Sequence, residues 1–337
     1  MPRPGAPIAI TLGDPCGIGP EIVLKAFAAG LPAPAVVIGD PGLLAREAAR
    51  LRLPLTVEPV ATPSSAGAPG SVPVIAASAL PPDLSAGVVD ARAGEAAWRY
   101  VVRAAGLAMR GEVRAVVTAP LSKEAMHRAG HDYPGHTELL AELAGGVPVR
   151  MMLANRELRT VLVTIHMALR DALAALSRDS ILETIVITDR ALRRAGIAAP
   201  RIAVAGVNPH AGEAGMFGRE EIEVVAPAVA DARALGIDAS GPHPPDTVFM
   251  RARGFARFDV VIAMYHDQGL IPVKYLGIDD GVNVTIGLPF VRTSPDHGTA
   301  FDIAGRPGPH GLGLADPASL IAAFVHADAM SGAPVRG

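Results

Sequence analysis

Five polar islands interrupt an otherwise apolar chain: GHTE at 135–138, TIH at 164–166, NPHAGE at 208–213, MYHDQG at 264–269 and RTSPDHGTAFDIAG at 292–305. Three of them, TIH, NPH and MYH, place a histidine directly after a run that predicts a strand. In an open α/β sheet the carboxyl ends of the strands gather at one crevice, so His166, His210 and His266 can converge although 44 and 56 residues separate them. Three imidazoles with an open fourth position make a catalytic site for a divalent metal. A histidine after a strand is equally an ordinary hydrogen-bonded loop residue, and spacing alone leaves both readings standing. Asp267, next to His266, is the kind of neighbour that orients a ligating imidazole.

Two cations stand beside the same islands: Lys274 in YHDQGLIPVKYL and Arg292 in TIGLPFVRTS, with Asn283 between them. A charge embedded in apolar surroundings is costly unless paired, so an anionic ligand such as a phosphate or carboxylate is the expected partner. The loop GDPCGIGPE, Gly13 to Glu21, follows a predicted strand and opens a helix at Pro20, where proline suits the first helical position. Its spacing departs from the dinucleotide fingerprint, because Ile22 stands where the third glycine would be. It reads either as a tight strand-to-helix turn or as an anion-binding loop. Cys16 within it has no histidine base nearby in sequence and reads as a packed thiol. His127, His131, His243, His310 and His326 lie in charged or Pro/Gly-rich stretches and are expected at the surface.

These residues need elements to position them. Short β-branched runs alternate with Ala-rich amphipathic stretches: strands are predicted at Ile8–Leu12, Ala35–Gly39, Val113–Thr118, Thr160–Ile165, Arg201–Gly206 and Phe258–Met264. Helices are predicted at Pro20–Ala29, Leu43–Arg50, Gly94–Met109, Asp179–Ala195 and Arg219–Leu235. Such alternation is the signature of an α/β protein built on a mainly parallel sheet. No internal repeat of fixed period appears.

Composition bounds the remaining classes. A chain of 337 residues, half of them hydrophobic, can bury two medium cores, so two domains are expected and disorder is excluded. Its 33 acidic and 30 basic residues leave a charge of −3 with no basic block, which sets nucleic acid and anionic membrane aside as partners. One cysteine and an N-terminus without a cleavage signature read as an unprocessed cytoplasmic protein. The uncharged stretch Pro59 to Pro82 mimics a membrane span by hydropathy, but its six prolines forbid a spanning helix and it reads as loops and short strands.

Taken together and in order, GDPCGIGPEI, TAPLSKEAM, GHTELLAE, NPHAGEAGMFGREE, MYHDQGLIPVK and GVNVTIGLPFVRTSPDHGTAFDIAG resemble the 4-hydroxythreonine-4-phosphate dehydrogenase family over nearly the whole chain, Ile8 to Gly305. The resemblance implies a two-domain α/β/α fold similar to isocitrate and isopropylmalate dehydrogenases, with NAD bound in an interdomain cleft without a Rossmann fingerprint. It implies discontinuous domains, near 1–125 with 285–337 and 126–284. The metal ligands it implies are His166, His210 and His266, holding zinc, cobalt, manganese or magnesium, in a site shared across a homodimer. Substrate contacts carry over to His136, Thr137, Lys274, Asn283 and Arg292, and supporting or catalytic roles to Asp246, Asp267 and Lys274. The segment Asp296, His297, Gly298, Thr299 and Asp302 resembles the cofactor loop of those relatives, for NAD with NADP tolerated.

The implied reaction is oxidation of 4-phosphohydroxy-L-threonine with decarboxylation to 3-amino-2-oxopropyl phosphate, in pyridoxine and pyridoxal phosphate biosynthesis. Similar wording in HDYPGHTE and VKYLGIDDGVN occurs in relatives that oxidise phosphorylated threonate or erythronate, and more distant ones act on aromatic cis-diols. The reading of a different class is a non-catalytic phosphometabolite-binding module. For the shared site we expect His266 to cross to the neighbouring subunit while His166 stays.

Overall fold

The computed structural model describes residues 5–63, 68–277, 281–308 and 313–332. Contacts divide the chain into two compact units, Met1–Val147 with Leu288–Ser331, and Pro148–Gly287. Residues 126–147, expected in the second unit, belong to the first by their contacts, and with them the helix that begins at His136.

The first unit runs β1 (Ile8–Thr11), α1 (Gly19–Ala29), β2 (Ala35–Gly39), α2 (Pro41–Arg50), β3 (Thr56–Pro59), β4 (Ser71–Ala76), α3 (Ala91–Met109), β5 (Ala115–Thr118), α4 (Lys123–Arg128) and α5 (His136–Leu143). Helix starts follow local chemistry: Asp40, Asp90 and Ser122 each accept a backbone N–H at an N-terminus, and Pro41 supplies a preset φ. The second unit runs β6 (Arg150–Ala154), β7 (Arg159–Leu162), α6 (Leu169–Ala175), α7 (Arg178–Arg194), β8 (Ile202–Ala205), α8 (Ala226–Ala234), β9 (Ala239–His243), α9 (Pro245–Ala252), β10 (Val260–Ala263), α10 (His266–Leu276) and β11 (Val282–Ile286). The chain then returns to the first unit as β12 (Val291–Pro295) and α11 (Ala318–Gly332).

Strand order in the first unit is β3-β4-β2-β1-β5-β12, parallel at every pairing. In the second it is β11-β6-β7-β10-β8-β9, where β11, β6 and β7 pair antiparallel and β7, β10, β8 and β9 pair parallel. Both strand orders agree with the expected α/β architecture. The apolar cores follow from it: Ile8, Ile10, Val36, Val37, Val116 and Val117 are sealed in the first unit, and Leu153, Leu162, Val261, Ala263, Leu270 and Val273 in the second.

The uncharged stretch from Pro59 contains β4, as expected of short strands, and no helix among the described residues is long and apolar enough to cross a membrane. The single helix expected at Arg219–Leu235 begins instead with one wide π turn, Glu221–Val225, before α8. Pro227 explains the break, since it has no N–H for the regular ladder. Strand β12, VRTSP, escaped the sequence reading because its composition is polar, yet all five residues are buried. Two of its polar side chains bond internally: the Thr293 hydroxyl donates to the Ala323 carbonyl at 2.8 Å and Arg292 Nη2 donates to the Thr118 hydroxyl.

Close approach of α3 and α4 depends on Gly94, where an added Cβ would lie 2.0 Å from the Ala125 carbonyl oxygen. Backbone cannot yield as a side chain can, so Gly94→Ala should cost about 1–3 kcal/mol through overpacking. A lowered melting temperature would register it, and an unchanged one would mean that the two helices slide apart freely.

Candidate active site

The histidines of TIH and MYH meet because a strand pairing runs past its own ends. Parallel β7 and β10 set Leu162 opposite Ala263. The ladder continues as Val163 N–H donates to the Ala263 carbonyl at 2.9 Å and Thr164 N–H to the Met264 carbonyl at 3.3 Å. The Thr164 hydroxyl adds a bond to the same Met264 oxygen at 2.8 Å. Carried on, that register brings His166 level with the start of α10, and the His166 and His266 rings stand 5.7 Å apart, tilted by 46°. Gln268, buried and not singled out from sequence, locks this end: its Oε1 accepts the Met264 N–H at 2.7 Å and its Nε2 donates to the Gly206 carbonyl at 2.8 Å. His266 Nδ1 lies 2.7 Å from Asp267 Oδ1, the carboxylate contact that fixes a tautomer and leaves Nε2 for a ligand. A cavity of about 570 Å³ opens here, lined by His166, Met167, Leu169, Tyr265, His266 and Asp267 among others.

His210 is not a member of that pair. It follows β8 in an exposed turn and its ring lies 6.4 Å from that of Phe217. Among the described residues no three His, Cys, Asp or Glu side chains gather as a metal-holding group. Within one chain the His166 and His266 rings thus stand together, and His210 lies on a separate turn. The His210 turn is strained, with φ of 52, 55, 80, 40 and 54° from His210 to Ala214. Four of these five are not glycine, and each such residue costs about 1–2 kcal/mol in that region. Helix α9 packs on this turn and carries Asp246, exposed, in its first turn.

The expected cations part company. Arg292, on β12, is 3% exposed, with Nη2 donating to the Thr118 hydroxyl at 2.6 Å. Burial pushes its pKa down to about 10, opposed by the charge of Glu138. Lys274 stands exposed on the last turn of α10, so the argument from a charge buried in apolar sequence fails for it. Helical periodicity turns Leu270 and Val273 inward and Lys274 out. His136 opens α5 beside Arg292; its Nε2 is sealed from solvent without a hydrogen-bond partner. Burial, helped by the charges of Arg292 and Lys123, holds its pKa well below the usual value, so the imidazole is neutral. Thr137 follows it in the first turn. A desolvated guanidinium, a neutral imidazole and the N-terminus of a helix form a group suited to a phosphate or carboxylate. Lys123 and Glu138, which tune it, were overlooked because they read as ordinary helix-surface charges. Asn283, on β11, likewise has a buried Oδ1 without a partner.

The first loop resolves toward the tight turn. Asp14 N–H donates to the Pro120 carbonyl, Cys16 N–H to Asp14 Oδ1, Gly17 N–H to the Asp14 carbonyl and Ile18 N–H to the Thr299 carbonyl, all within 2.8–3.0 Å. These four N–H groups are engaged within the fold, as in a tight strand-to-helix turn. The loop supports the segment that resembles a cofactor loop: an added Cβ at Gly17 would sit 3.0 Å from the Thr299 carbonyl oxygen. On that segment His297, Gly298 and Asp302 are exposed, while Asp296 and Thr299 are half-buried. Cys16 is buried, and burial pushes its thiol up to about 12, as befits a packed residue. His127 is exposed as expected, but His131 stacks on Trp98 at 4.2 Å and meets Glu95 at 2.6 Å, and half-buried His243 meets Ser240 at 2.9 Å. His326 is also half-buried, and His310 lies outside the described residues.

Asp14 Oδ2 is buried without a partner, and desolvation raises this carboxyl from 3.8 to about 6. A raised acid binds its proton more tightly folded than unfolded, so its contribution falls as pH rises through that window and is flat above it. Asp14→Asn removes the titration. Its melting temperature relative to the parent should improve from about pH 4.5 to about pH 7.5, by the equivalent of on the order of 2 kcal/mol. A constant difference across that range would contradict the assignment.

A family model described as pyridoxal phosphate biosynthetic protein PdxA matches residues 32–327. A 4-hydroxythreonine-4-phosphate dehydrogenase of Beijerinckia indica subsp. indica is 52% identical over 326 residues, covering 95% of this chain and 94% of its own. A D-threonate 4-phosphate dehydrogenase of Salmonella typhimurium is 53% identical over 304 residues, 88% of this chain and 92% of its own. The crystal structure of a 4-hydroxythreonine-4-phosphate dehydrogenase from Klebsiella pneumoniae superposes with a TM-score of 0.89 at 47% identity, covering 97% of this chain and 99% of that one. Motifs, fold and relatives agree, and the chain belongs to the pyridoxal phosphate biosynthetic protein PdxA family.

Proposed function

We propose that this chain is a cytoplasmic, NAD-dependent, divalent-metal-assisted dehydrogenase that oxidises 4-phosphohydroxy-L-threonine, with decarboxylation to 3-amino-2-oxopropyl phosphate, in pyridoxal phosphate biosynthesis. A dehydrogenase family implies a nicotinamide cofactor and a small phosphorylated substrate, which supports the coarser part of this reading. The observation that carries it further is Arg292, a guanidinium kept in the interior beside neutral His136 at the start of α5. A non-catalytic phosphate-binding module would need that group but not the His166–His266 pair with its oriented imidazole.

Two imidazoles whose ring centroids lie 5.7 Å apart, one of them backed by a carboxylate, suit a borderline divalent ion in their donor chemistry. A bound divalent ion would supply Lewis-acid chemistry at the substrate hydroxyl, and a bound nicotinamide would supply a hydride acceptor. In this reading His166, His210 and His266 hold the metal, Asp267 fixes the His266 tautomer, and Asp246 is assigned a supporting role on the resemblance. Arg292, His136 and Thr137 orient the anionic substrate. Lys274, exposed and able to move a proton or anchor a charge, and Asn283 are assigned to substrate on the resemblance. The segment Asp296 to Asp302 is assigned to NAD, its exposed polar side chains resting on a backbone pinned to the first loop.

NADH formation from 4-phosphohydroxy-L-threonine, with D-threonate 4-phosphate as the comparison substrate, tests the reading. Activity should vanish with a chelator and return with zinc, cobalt, manganese or magnesium. Arg292→Ala should lower kcat/KM for the phosphorylated substrate by the equivalent of about 2–5 kcal/mol and leave the KM for NAD in place. Full activity in metal-free protein, or a shift in the NAD constant alone, would defeat it.

We also propose a two-fold homodimer in which His210 completes the partner's site. Exposed apolar side chains lie on the elements that carry the three histidines or pack on them: Ile271 and Tyr275 (90% exposed) on α10, Leu169 beside His166, Met216 (75%) and Phe217 after the His210 turn, and Met250 (71%) on α9. A two-fold interface presents the same patch twice, so a turn at its edge can reach across. His210→Ala mixed with His266→Ala should then recover about a quarter of wild-type sites after subunit exchange. His166→Ala mixed with His266→Ala should recover none, and the opposite pattern would return His266 to the neighbour.

A further inference from the structure

The turn that presents His210 is organised by an acid that the proposed chemistry does not use. Glu221, on the first turn of the π segment, is 2% exposed. Its Oε1 accepts the N–H groups of Val207 and Asn208, both at 2.7 Å, and its Oε2 accepts the Asn208 side-chain amide at 3.0 Å. The other hydrogen of that amide is directed to Glu220 Oε2 at 2.7 Å. These bonds all fall on the two residues ahead of Pro209. Beyond it, the backbone holds five consecutive residues at positive φ with His210 first among them. Within the turn, Gly212 lies so close to the carboxylate that a Cβ there would come within 2.6 Å of Oε2.

Left to itself such a turn would relax, because four side chains in the left-handed region are each unfavourable. A buried carboxylate that collects three N–H groups at the entry over-determines the conformation, since losing the acceptor leaves buried donors unsatisfied. We infer that Glu221 is a positioning residue for the His210 imidazole: it touches neither metal nor substrate and acts by holding the strained turn that aims the ring. This rests on the reading of His210 as a metal ligand.

Glu221→Gln is the informative change because it keeps the shape and spoils the pattern. Whichever way the new amide lies, its NH2 faces a donor, and turning Asn208 over to meet it would set the Asn208 oxygen against Glu220. The test is titration of the full-length, metal-free protein with cobalt(II), following both affinity and the visible absorption of the bound ion, with His210→Ala in parallel. Glu221→Gln should bind cobalt about 10–100-fold more weakly and change the absorption band, as outer partners of metal ligands do. Its affinity for NAD should be unchanged, which a general loss of folding would not allow. If His210→Ala loses the metal while Glu221→Gln keeps parental affinity and spectrum, Glu221 has no positioning role. If His210→Ala itself binds as the parent does, the reading of His210 as a ligand falls instead. Should Glu221→Gln fail to fold, Gly212→Ala disturbs the same turn with the carboxylate in place; the same loss is expected, and parental cobalt binding overturns the inference.

Discussion

Parallel strands cannot be joined by a tight turn, so whatever stands at their carboxyl ends is brought together from distant sequence by the ladder alone. In the second unit that ladder joins β7 to β10 and does not stop where the strands do. Backbone bonds from Val163 and Thr164 to the residues before His266 carry the register into the loops. Everything proposed for the metal depends on this extension. Without it, His166 would hang from a free loop, and an imidazole must be held to within a fraction of an ångström to serve as a ligand. Gln268 secures the arrangement by tying the end of β10 to the loop after β8, the loop from which the His210 turn departs.

The anion group in the first unit obeys a different constraint. Arg292 lies on a strand whose residues are all buried, so its charge is held where dielectric screening is weak. The structure accepts this because a hydroxyl and nearby Glu138 partly compensate it, and because His136, at the same place, stays neutral and adds no second charge. A ligand with two or more negative oxygens would complete what the protein leaves partial. The same burial that costs stability in the free protein thus raises the strength and selectivity of any phosphate contact.

Strain is concentrated where these sites are built. The His210 turn is left-handed through non-glycine residues, the first loop hides an acid with an unsatisfied oxygen, and the segment after β12 holds Ala300 at a φ of 44°. The strands beside them, β1, β5, β12, β7 and β10, pair in unbroken parallel register and fix the irregular parts.

The chain itself declared its class. Alternating β-branched runs and amphipathic stretches follow from the periods of strand and helix, and the α/β fold was legible in them; the order of the polar islands carried the family. What the sequence left out were distances and burial. It could not separate Lys274 from Arg292, because both sit in apolar text and only helical phase against strand burial turns one outward and the other inward. It could not read β12 as a strand, because a buried strand of polar residues, two of them bonded to Thr118 and Ala323, has no apolar signature of its own. It offered three histidines as equals, whereas the register of one parallel pairing joins His166 to His266 and leaves His210 in a turn set by Glu221. Local periodicity is written residue by residue; which distant residues share a ladder, and which charge loses its water, is decided only when the sheet forms.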